Sequence, residues 1–254
     1  MADLFELPGE FRIEEPVGIG RRGKIVRLVQ ELLSLSGFQV VVDGDFGPAT
    51  ECAVRFFQRE NGLTVDGVVF GDTVARLLEP MNKAIKEIPA DGKSVAELAV
   101  LYGRQHLAVH PREIGGQNRG PWVRLYMKGN EGNDWAWCAG FVSYLLGQAC
   151  QSLGCRLPFQ PSFSCDIMAT NAKDKDLFIR GNKEENQAKV QPGTIFLTRR
   201  SSIDWVHTGV VVDVDLAHGC FRTIEGNTND EGGSDGYEVC MRTRSFKNKD
   251  FILI

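Results

Sequence analysis

Apolar residues in the first third of the chain recur with the spacing of helices. From Lys24 they fall at the i, i+3, i+4 and i+7 positions that form one helix face. These residues are Ile25, Leu28, Val29 and Leu32. Gly37 stands where a C-terminal cap would end the helix, and Pro48 suits the start of a second helix that ends near Gly62. The pattern predicts two helices around a tight loop.

The loop between these helices is repeated further along the chain. Asp43-Gly44 is followed by Thr50, and Asp66-Gly67 is followed by Thr73 at the same separation. Thr73 opens a third apolar helical pattern. An internal repeat of this length indicates two copies of a loop-plus-helix unit. We therefore predict a small three-helix domain over residues 18–80.

The pattern changes after residue 80. Residues 81–93 mix charge with Pro and Gly, which is typical of a linker, and Ser94 with Glu97 has the form of a capping box that opens a new helix. A long apolar helix is predicted from Cys138. Strands rich in apolar residues are predicted at 195–197, 206–212, 220–224 and 251–254. Helices followed by strands indicate an α+β domain with an antiparallel sheet over residues 94–254.

Composition fits a globular protein of two domains. The 254 residues are 43% hydrophobic and 24% charged, with a formal net charge of −4. No apolar run is long enough to suggest membrane insertion, and no basic stripe suggests nucleic-acid binding. The N-terminus lacks the basic and apolar regions of a secretory signal, so synthesis in the cytoplasm without a signal peptide is expected.

The candidate chemistry centres on Cys138. A thiol at a helix N-terminus beside a histidine becomes a thiolate more readily, and a backbone N–H in the first turn can stabilise an oxyanion. His207 lies in a predicted strand, and Glu225 and Asn227 share one face of the next strand because side chains alternate with a period of two. Either of these two residues can orient the imidazole. Gly209, on the face of His207, is expected to leave room for a substrate or a helix end.

Several other Trp, Cys and His residues can take part in binding or catalysis, but each also has a structural interpretation. Trp137 and Trp205 flank the candidate site, where they either line a substrate cleft or pack the core. The six other cysteines are interpreted as buried free thiols, and the Cys150-x4-Cys155 spacing is too loose to predict a zinc site. No metal and no cofactor are expected. The remaining histidines are expected at the surface or at caps, and they are His106, His110 and His218.

The front of the chain resembles the peptidoglycan-binding-domain family of short helical modules. The resemblance rests on Gly37-Phe38, the stretch from Asp43 to Thr50, Ala53-Val54, Phe56-Phe57-Gln58, Asn61-Gly62-Leu63, Val65-Asp66-Gly67-Val68 and Thr73. It implies binding to bacterial peptidoglycan. Asp43 and Asp66 are candidate substrate-binding residues, with closure of the loop as the alternative role for each of them.

The rest of the chain resembles the cysteine, histidine-dependent amidohydrolase/peptidase (CHAP) family of papain-like hydrolases. The matching motifs are Trp137-Cys138-Ala139-Gly140-Phe141-Val142-Ser143, Gln191-Pro192-Gly193-Thr194-Ile195, His207-Thr208-Gly209-Val210-Val211 and Ile224-Glu225-Gly226-Asn227-Thr228. The resemblance implies a papain-like fold with Cys138 as nucleophile, His207 as base, Glu225 as orienting acid and Asn227 as supporting amide. Residues 130–134 lack the Asp-x-Asp spacing of the calcium site of some members.

Together the two resemblances imply a peptidoglycan hydrolase that cleaves a stem-peptide amide or the muramoyl–alanine linkage. It would act at the cell wall as a monomer, after holin-type release of a phage endolysin or after delivery of an antibacterial toxin by a secretion machine. A non-catalytic wall-binding protein and a cysteine hydrolase of other amides are the alternatives. The sequence does not distinguish amidase from endopeptidase chemistry.

Overall fold

The computed structural model describes residues 3–229 and 236–254. These residues form eight α-helices and a six-stranded sheet. The helices are α1 (Lys24–Leu35), α2 (Pro48–Glu60), α3 (Asp72–Ile85), α4 (Val95–Leu107), α5 (Pro121–Tyr126), α6 (Cys138–Leu153), α7 (Cys165–Lys173) and α8 (Glu184–Gln187). In this part of the chain, no helix combines the length and the apolar character needed to cross a bilayer.

The first three helices form the predicted helical unit at the front of the chain. Helix α1 ends at a glycine cap, because Gly37 has a φ of 94° and Phe38 N–H donates to the carbonyl of Leu33. Pro48 occupies the first turn of α2, where its missing N–H costs nothing. The predicted helix boundaries at these two positions are confirmed.

Helix α3 runs further than the sequence pattern suggested. It continues to Ile85, so the first five residues of the predicted linker 81–93 are helical. Met81, Ala84 and Ile85 are buried, and this apolar face holds the last turn against the core. The next helix, α4, begins with the predicted capping box, in which Ser94 and Glu97 bond reciprocally.

The sheet follows the helices, as the order of patterns predicted. Its strands are β1 (Phe178–Arg180), β2 (Ile195–Ser201), β3 (Asp204–Asp215), β4 (Cys220–Thr228), β5 (Glu238–Ser245) and β6 (Lys249–Ile252). All neighbours pair antiparallel in the order β1-β6-β2-β3-β4-β5. Helix α6 packs on β3 and β4, and α7 packs on β3. The α+β architecture is therefore confirmed, although β1 and β5 were not predicted.

The helical unit and the α+β region share a buried charged contact. Glu31 on α1 is fully buried, and its Oε2 accepts a 2.7 Å hydrogen bond from Nη2 of Arg124 on α5. Arg124 also bonds Glu131 at 2.8 Å, and Arg27 reaches both carboxylates. Removing one partner from such a pair leaves a buried charge uncompensated. This network fixes α1 against the α+β region.

Candidate active site

The first turn of α6 lies directly on strand β4. A Cβ at Gly226 would come within 2.7 Å of the Trp137 ring and 2.9 Å of Phe141, so only glycine allows this approach. Cys138 is the first residue of α6, as predicted, and its side chain is 4% exposed. The N–H of Ala139, one of the amides that a helix leaves free in its first turn, helps to lower the pKa of the Cys138 thiol.

His207 and Glu225 meet across the paired strands β3 and β4. Nε2 of His207 lies 2.7 Å from Oε2 of Glu225, and both side chains are almost completely buried. Gly209 makes this contact possible, because a Cβ there would lie 2.7 Å from Cγ of Glu225 and 2.8 Å from the ring of Phe196. The space beside Gly209 is thus occupied by these two side chains, and the expectation that it receives a substrate or a helix end was wrong.

Arg244 on β5 holds the other side of Glu225, and the sequence did not point to it. Its Nε donates to Oε1 at 2.8 Å and its Nη2 donates to Oε2 at 2.6 Å, in the bidentate geometry that suits a carboxylate. The Thr223 hydroxyl also donates to Oε1. Burial alone would raise the pKa of Glu225, but the hydrogen bonds from Arg244 and His207 lower it to about 2. Glu225 is therefore a carboxylate at neutral pH.

The charges of Cys138 and His207 stabilise each other. Burial lowers the pKa of His207, but hydrogen bonding and charge from Cys138 and Glu225 outweigh burial and raise it to about 9. The pKa of Cys138 is held well below the ordinary value, first by the thiol of Cys165 and then by His207, against the effect of burial. The result is a thiolate, an imidazolium, a carboxylate and a guanidinium in series. We call Cys138, His207, Glu225 and Arg244 the charge chain.

The contact between Cys138 and His207 is looser than the others. With Nε2 occupied by Glu225, the remaining ring nitrogen is Nδ1, which is buried and has no well-formed hydrogen bond within the described part of the chain. The two groups nevertheless shift each other's pKa. Catalytic hydrogen bonds are often long in the absence of substrate. Nδ1 is the nitrogen left to exchange a proton with the thiol or with a substrate.

Asn227 lies at the end of β4 in an unusual conformation. Its φ is 54°, it is 2% exposed, and β4 slips its register against β5 between Glu225 and Thr228. Its Oδ1 has no hydrogen-bond partner among the described residues. Glu225, not Asn227, is the residue bonded to Nε2 of His207. No contact with the imidazole therefore supports Asn227 as the orienting residue. Its role as a supporting amide stays a prediction.

Cys165 contacts Cys138, and the sequence did not predict this contact. It begins α7, and its sulfur lies 3.8 Å from that of Cys138. Its hydrogen bond to Cys138 and its burial raise its pKa well above the ordinary value, so it remains a thiol. The sequence interpretation of a buried thiol describes its exposure of 7% but not its position beside the candidate nucleophile. The same interpretation was wrong for Cys52 and Cys155, which are exposed.

The two tryptophans predicted as substrate-binding are buried. Trp137 is fully buried and donates its indole N–H to Glu113 at 2.9 Å. Trp205 is 4% exposed and donates to Asp250 at 2.9 Å. Lys173 lies over the Trp205 ring, 4.3 Å from its centroid. Burial favours the alternative of core packing over a substrate cleft.

Asp43 and Asp66, the candidate wall-binding residues, have matching loop contacts. Oδ1 of Asp43 accepts from Nε2 of Gln30 at 2.7 Å, and Oδ1 of Asp66 accepts from Nε2 of Gln58 at 2.7 Å. Each glutamine also bonds the threonine of its loop and accepts a hydrogen bond from the loop glycine; the partners are Thr50 and Gly44 for Gln30, and Thr73 and Gly67 for Gln58. We call these two arrangements the amide clamps. Loop closure occupies one oxygen of each aspartate, and both aspartates remain exposed.

The other histidines differ from expectation at one position. His106 is completely buried between the Tyr126 hydroxyl and Gln148, at 2.8 and 3.0 Å, and burial lowers its pKa to about 4. It is a neutral core residue, so its prediction as a surface or capping histidine was wrong. His110 pairs with Glu238, and His218 is exposed beside Asp215.

The described residues offer no evident metal centre. Among them, no group of three or more His, Cys, Asp or Glu side chains is arranged to hold an ion. Glu131, in the stretch that was compared with a calcium site, is instead paired with Arg124.

Comparison with known proteins identifies the front of the chain. Residues 22–77 match the family described as "Putative peptidoglycan binding domain". The chain is 37% identical over 70 residues to the zinc D-Ala-D-Ala carboxypeptidase of Streptomyces albus G, a match that covers 26% of this chain and 28% of that protein. It therefore spans less than a third of that relative's length.

A likeness to a solved structure is weak. The crystal structure of Burkholderia AP3 phage endolysin aligns with a TM-score of 0.25 and 23% identity, over 42% of this chain and 41% of that one. The family match covers α1, α2 and the start of α3, which carry the amide clamps. The N-terminal part of the chain is a domain of the peptidoglycan-binding family, followed by an α+β region that contains the charge chain.

Proposed function

We propose that the protein is a peptidoglycan hydrolase that uses Cys138 as a nucleophile. The observation that carries the proposal is the charge chain, in which a buried cysteine of lowered pKa faces a histidine backed by a carboxylate and an arginine. Strongly perturbed pKa values with specific charge partners are typical of catalytic sites. The peptidoglycan-binding family domain at the front of the same chain supports the cell wall as the substrate.

In the first step, the Cys138 thiolate attacks the carbonyl carbon of an amide bond. The carbonyl oxygen becomes an oxyanion beside the N-terminus of α6, where backbone N–H groups without helical partners are available as donors. His207 then gives its proton to the leaving amine, and the C–N bond breaks. A thioester between Cys138 and the acyl part remains.

In the second step, neutral His207 takes a proton from water, and the hydroxide formed attacks the thioester. The carboxyl product leaves and Cys138 returns as a thiolate beside an imidazolium. Glu225 stabilises that imidazolium and fixes the ring through Nε2. Arg244 keeps Glu225 ionised and in place.

The finer assignment is to a CHAP-type, papain-like cysteine amidase or endopeptidase. It is supported by the order of elements, with the cysteine at a helix start and the histidine and glutamate on two adjacent antiparallel strands that follow. The bond is a stem-peptide amide or the muramoyl–alanine linkage. Mass spectrometry of fragments released from defined peptidoglycan identifies it, because the two cleavages leave different new termini.

The two regions would act together on an insoluble substrate. A wall-binding module raises the effective concentration of cleavable bonds around the site. The buried Glu31–Arg124 contact supports this arrangement, since it holds α1 of the module against the α+β region. The protein would act at the cell wall after holin-type release or secretion-machine delivery, and a neighbouring gene for a holin-like or an immunity protein would distinguish these routes.

The proposal is tested with purified cell walls and the Cys138→Ala variant. We expect the wild-type protein to clear the walls and the variant to bind them without clearing, because the variant keeps the front domain and loses the nucleophile. The control is Cys52→Ser, which changes an exposed thiol in the front domain. Clearing by Cys138→Ala at the wild-type rate would overturn the mechanism.

A further inference from the structure

Two helices begin at cysteines whose sulfur atoms face each other. Cys138 opens α6 and Cys165 opens α7, and their sulfurs are 3.8 Å apart. The side chains are 4% and 7% exposed, so both belong to one buried contact. Nothing in the proposed hydrolysis needs a second thiol at this place.

The two thiols are chemically unequal, and this matters for oxidation. The contact between the two sulfurs lowers the pKa of Cys138, which His207 lowers further, and it raises the pKa of Cys165. The thiolate is therefore favoured at Cys138. Two helix N-termini converge there, and each adds positive potential. A thiolate reacts with peroxides, whereas a thiol does so poorly. Cys138 is therefore the sulfur that oxidises first.

A second pair of cysteines in the same region provides a contrast. Cys150 and Cys155 also interact, but burial and that contact raise the pKa of Cys150 to about 12. No nearby histidine stabilises a thiolate in that pair among the charges that act on Cys150. Proximity alone thus does not make a reactive pair, and the Cys138–Cys165 contact has both proximity and an activated sulfur.

We propose that Cys138 and Cys165 form a reversible disulfide when a peroxide oxidises Cys138, which switches the hydrolase off and protects its nucleophile from irreversible oxidation. The loss of activity rests on the proposed function, whereas formation of the bond does not.

The reaction balances with hydrogen peroxide as the oxidant. The Cys138 thiolate attacks one peroxide oxygen, the O–O bond breaks, and sulfenic acid and hydroxide form. The Cys165 sulfur then attacks the sulfenic sulfur, its S–H proton and the departing hydroxide make water, and the S–S bond forms. In total one thiolate and one thiol are oxidised, and one peroxide is reduced to one water and one hydroxide, which takes a proton from the solvent to become the second water. The sulfurs must approach by about 2 Å to reach the disulfide length, and a dithiol reductant reverses the bond.

The experiment uses the full-length protein treated with a small excess of hydrogen peroxide. Peptide mapping without reductant is expected to show one cross-linked peptide pair containing Cys138 and Cys165. Wall clearing should be lost in the same samples and return after incubation with dithiothreitol. Absence of that cross-link while Cys138 is oxidised to sulfinic or sulfonic acid would overturn the proposal, as would a Cys138 cross-link to another cysteine.

Variants of Cys165 test whether its thiol reacts with oxidised Cys138 or only packs against it. In Cys165→Ser the peroxide-treated protein should show sulfinic acid at Cys138, and reductant should not restore activity relative to the untreated variant. Cys165→Ala serves as a second variant, in case serine disturbs the packing at this buried position. We expect the same result from it. The matched control is Cys155→Ser, which removes the thiol from the contrasting pair and should recover like wild type. Equal recovery in the Cys165 variants would overturn the proposal.

Failure of the two proposals can be told apart. If the untreated protein clears no walls but the Cys138–Cys165 cross-link forms, the hydrolase function fails and the thiol pair stands. If the untreated protein clears walls but the cross-link does not form, the function stands and the pair fails. The peptide map of the wild-type protein gives this answer even if a variant does not fold.

Discussion

The amide clamps and the charge chain are both polar networks with buried side chains at their centres, but they are built differently. Each clamp is centred on a neutral glutamine that bonds a loop carboxylate, a threonine and a loop glycine. The charge chain consists of four ionised groups, and two side-chain atoms beside it, Nδ1 of His207 and Oδ1 of Asn227, lack partners within residues 3–229 and 236–254.

The difference separates a scaffold from a reactive site. A network whose buried polar atoms all have partners stabilises one conformation, whereas an unpartnered buried atom costs free energy unless something binds it. The clamp occurs twice with the same partners, which is expected of a structural unit that was duplicated. The charge chain occurs once and ends at a sulfur. We therefore expect mutations in the charge chain to reduce catalysis and mutations in the amide clamps to reduce stability.

The largest expected effect comes from His207→Ala. Loss of the base and proton donor should lower kcat/KM about 10²- to 10⁴-fold, the range of general acid–base catalysis. The pKa of Cys138 should also rise, because its charge partner is gone. Turnover of a soluble wall fragment measures the first effect. His218→Ala, at an exposed histidine, is the control. Activity of the His207 variant within a few-fold of wild type would contradict the charge chain.

Arg244→Met should produce a smaller loss of activity together with a loss of stability. Glu225 would lose its two hydrogen bonds from the guanidinium and keep the one to His207, so its pKa should rise and the orientation of the imidazole should loosen. We expect an activity loss on the order of tenfold and a loss of about 3 kcal/mol in the free energy of unfolding. Denaturant unfolding and kinetics measure the two. Arg222→Met, which breaks an exposed pair with Asp213, is the matched control; equal losses in both would contradict the account.

Much of the charge chain could be predicted from the sequence, and the reasons are local. Cys138 precedes a long apolar helix, and a period of two places His207 and Glu225 on inward faces of adjacent strands. Arg244 could not be found in this way, because β5 was not recognised as a strand. Cys165 begins a separate helix, and only tertiary packing brings it to Cys138.

The amide clamps could also be predicted only in part from the sequence. The repeat of Asp43 and Asp66 is visible in the sequence, but Gln30 and Gln58 lie at different distances before their loops. Their equivalence depends on how α1 and α2 pack on those loops. Burial of Trp137 and His106 likewise depends on tertiary packing, which residue type alone does not determine.

The pH dependence of catalysis should show a limb set by His207. Its pKa is raised to about 9, so the imidazolium is present below that pH and is lost as the pH rises through it. Because the imidazolium protonates the leaving amine, kcat/KM should fall about tenfold per pH unit above pH 9. On the acid side, the rate falls once the thiolate is protonated. A rate that kept rising above pH 9 would contradict this assignment.

The smallest effect on catalysis is expected from the clamps. Gln58→Ala leaves the hydroxyl of Thr73 and the N–H of Gly67 without their partner and should cost about 1 to 3 kcal/mol in the free energy of unfolding. Gln30→Ala should cost a similar amount, because its partners are equivalent. Turnover of a soluble fragment should stay near wild type in both. Gln117→Ala, at an exposed glutamine, is the control and should change stability by less than about 0.5 kcal/mol.

The central claim is that Cys138 is a thiolate at neutral pH, and its ultraviolet absorbance tests this directly. The difference in thiolate absorbance between the wild-type protein and Cys138→Ala would be followed as the pH is raised. We expect one full thiolate signal already at pH 7, because Cys165 and His207 hold the pKa of Cys138 well below the ordinary value. A signal that appears only near pH 8.5, as for a free cysteine, would contradict the account.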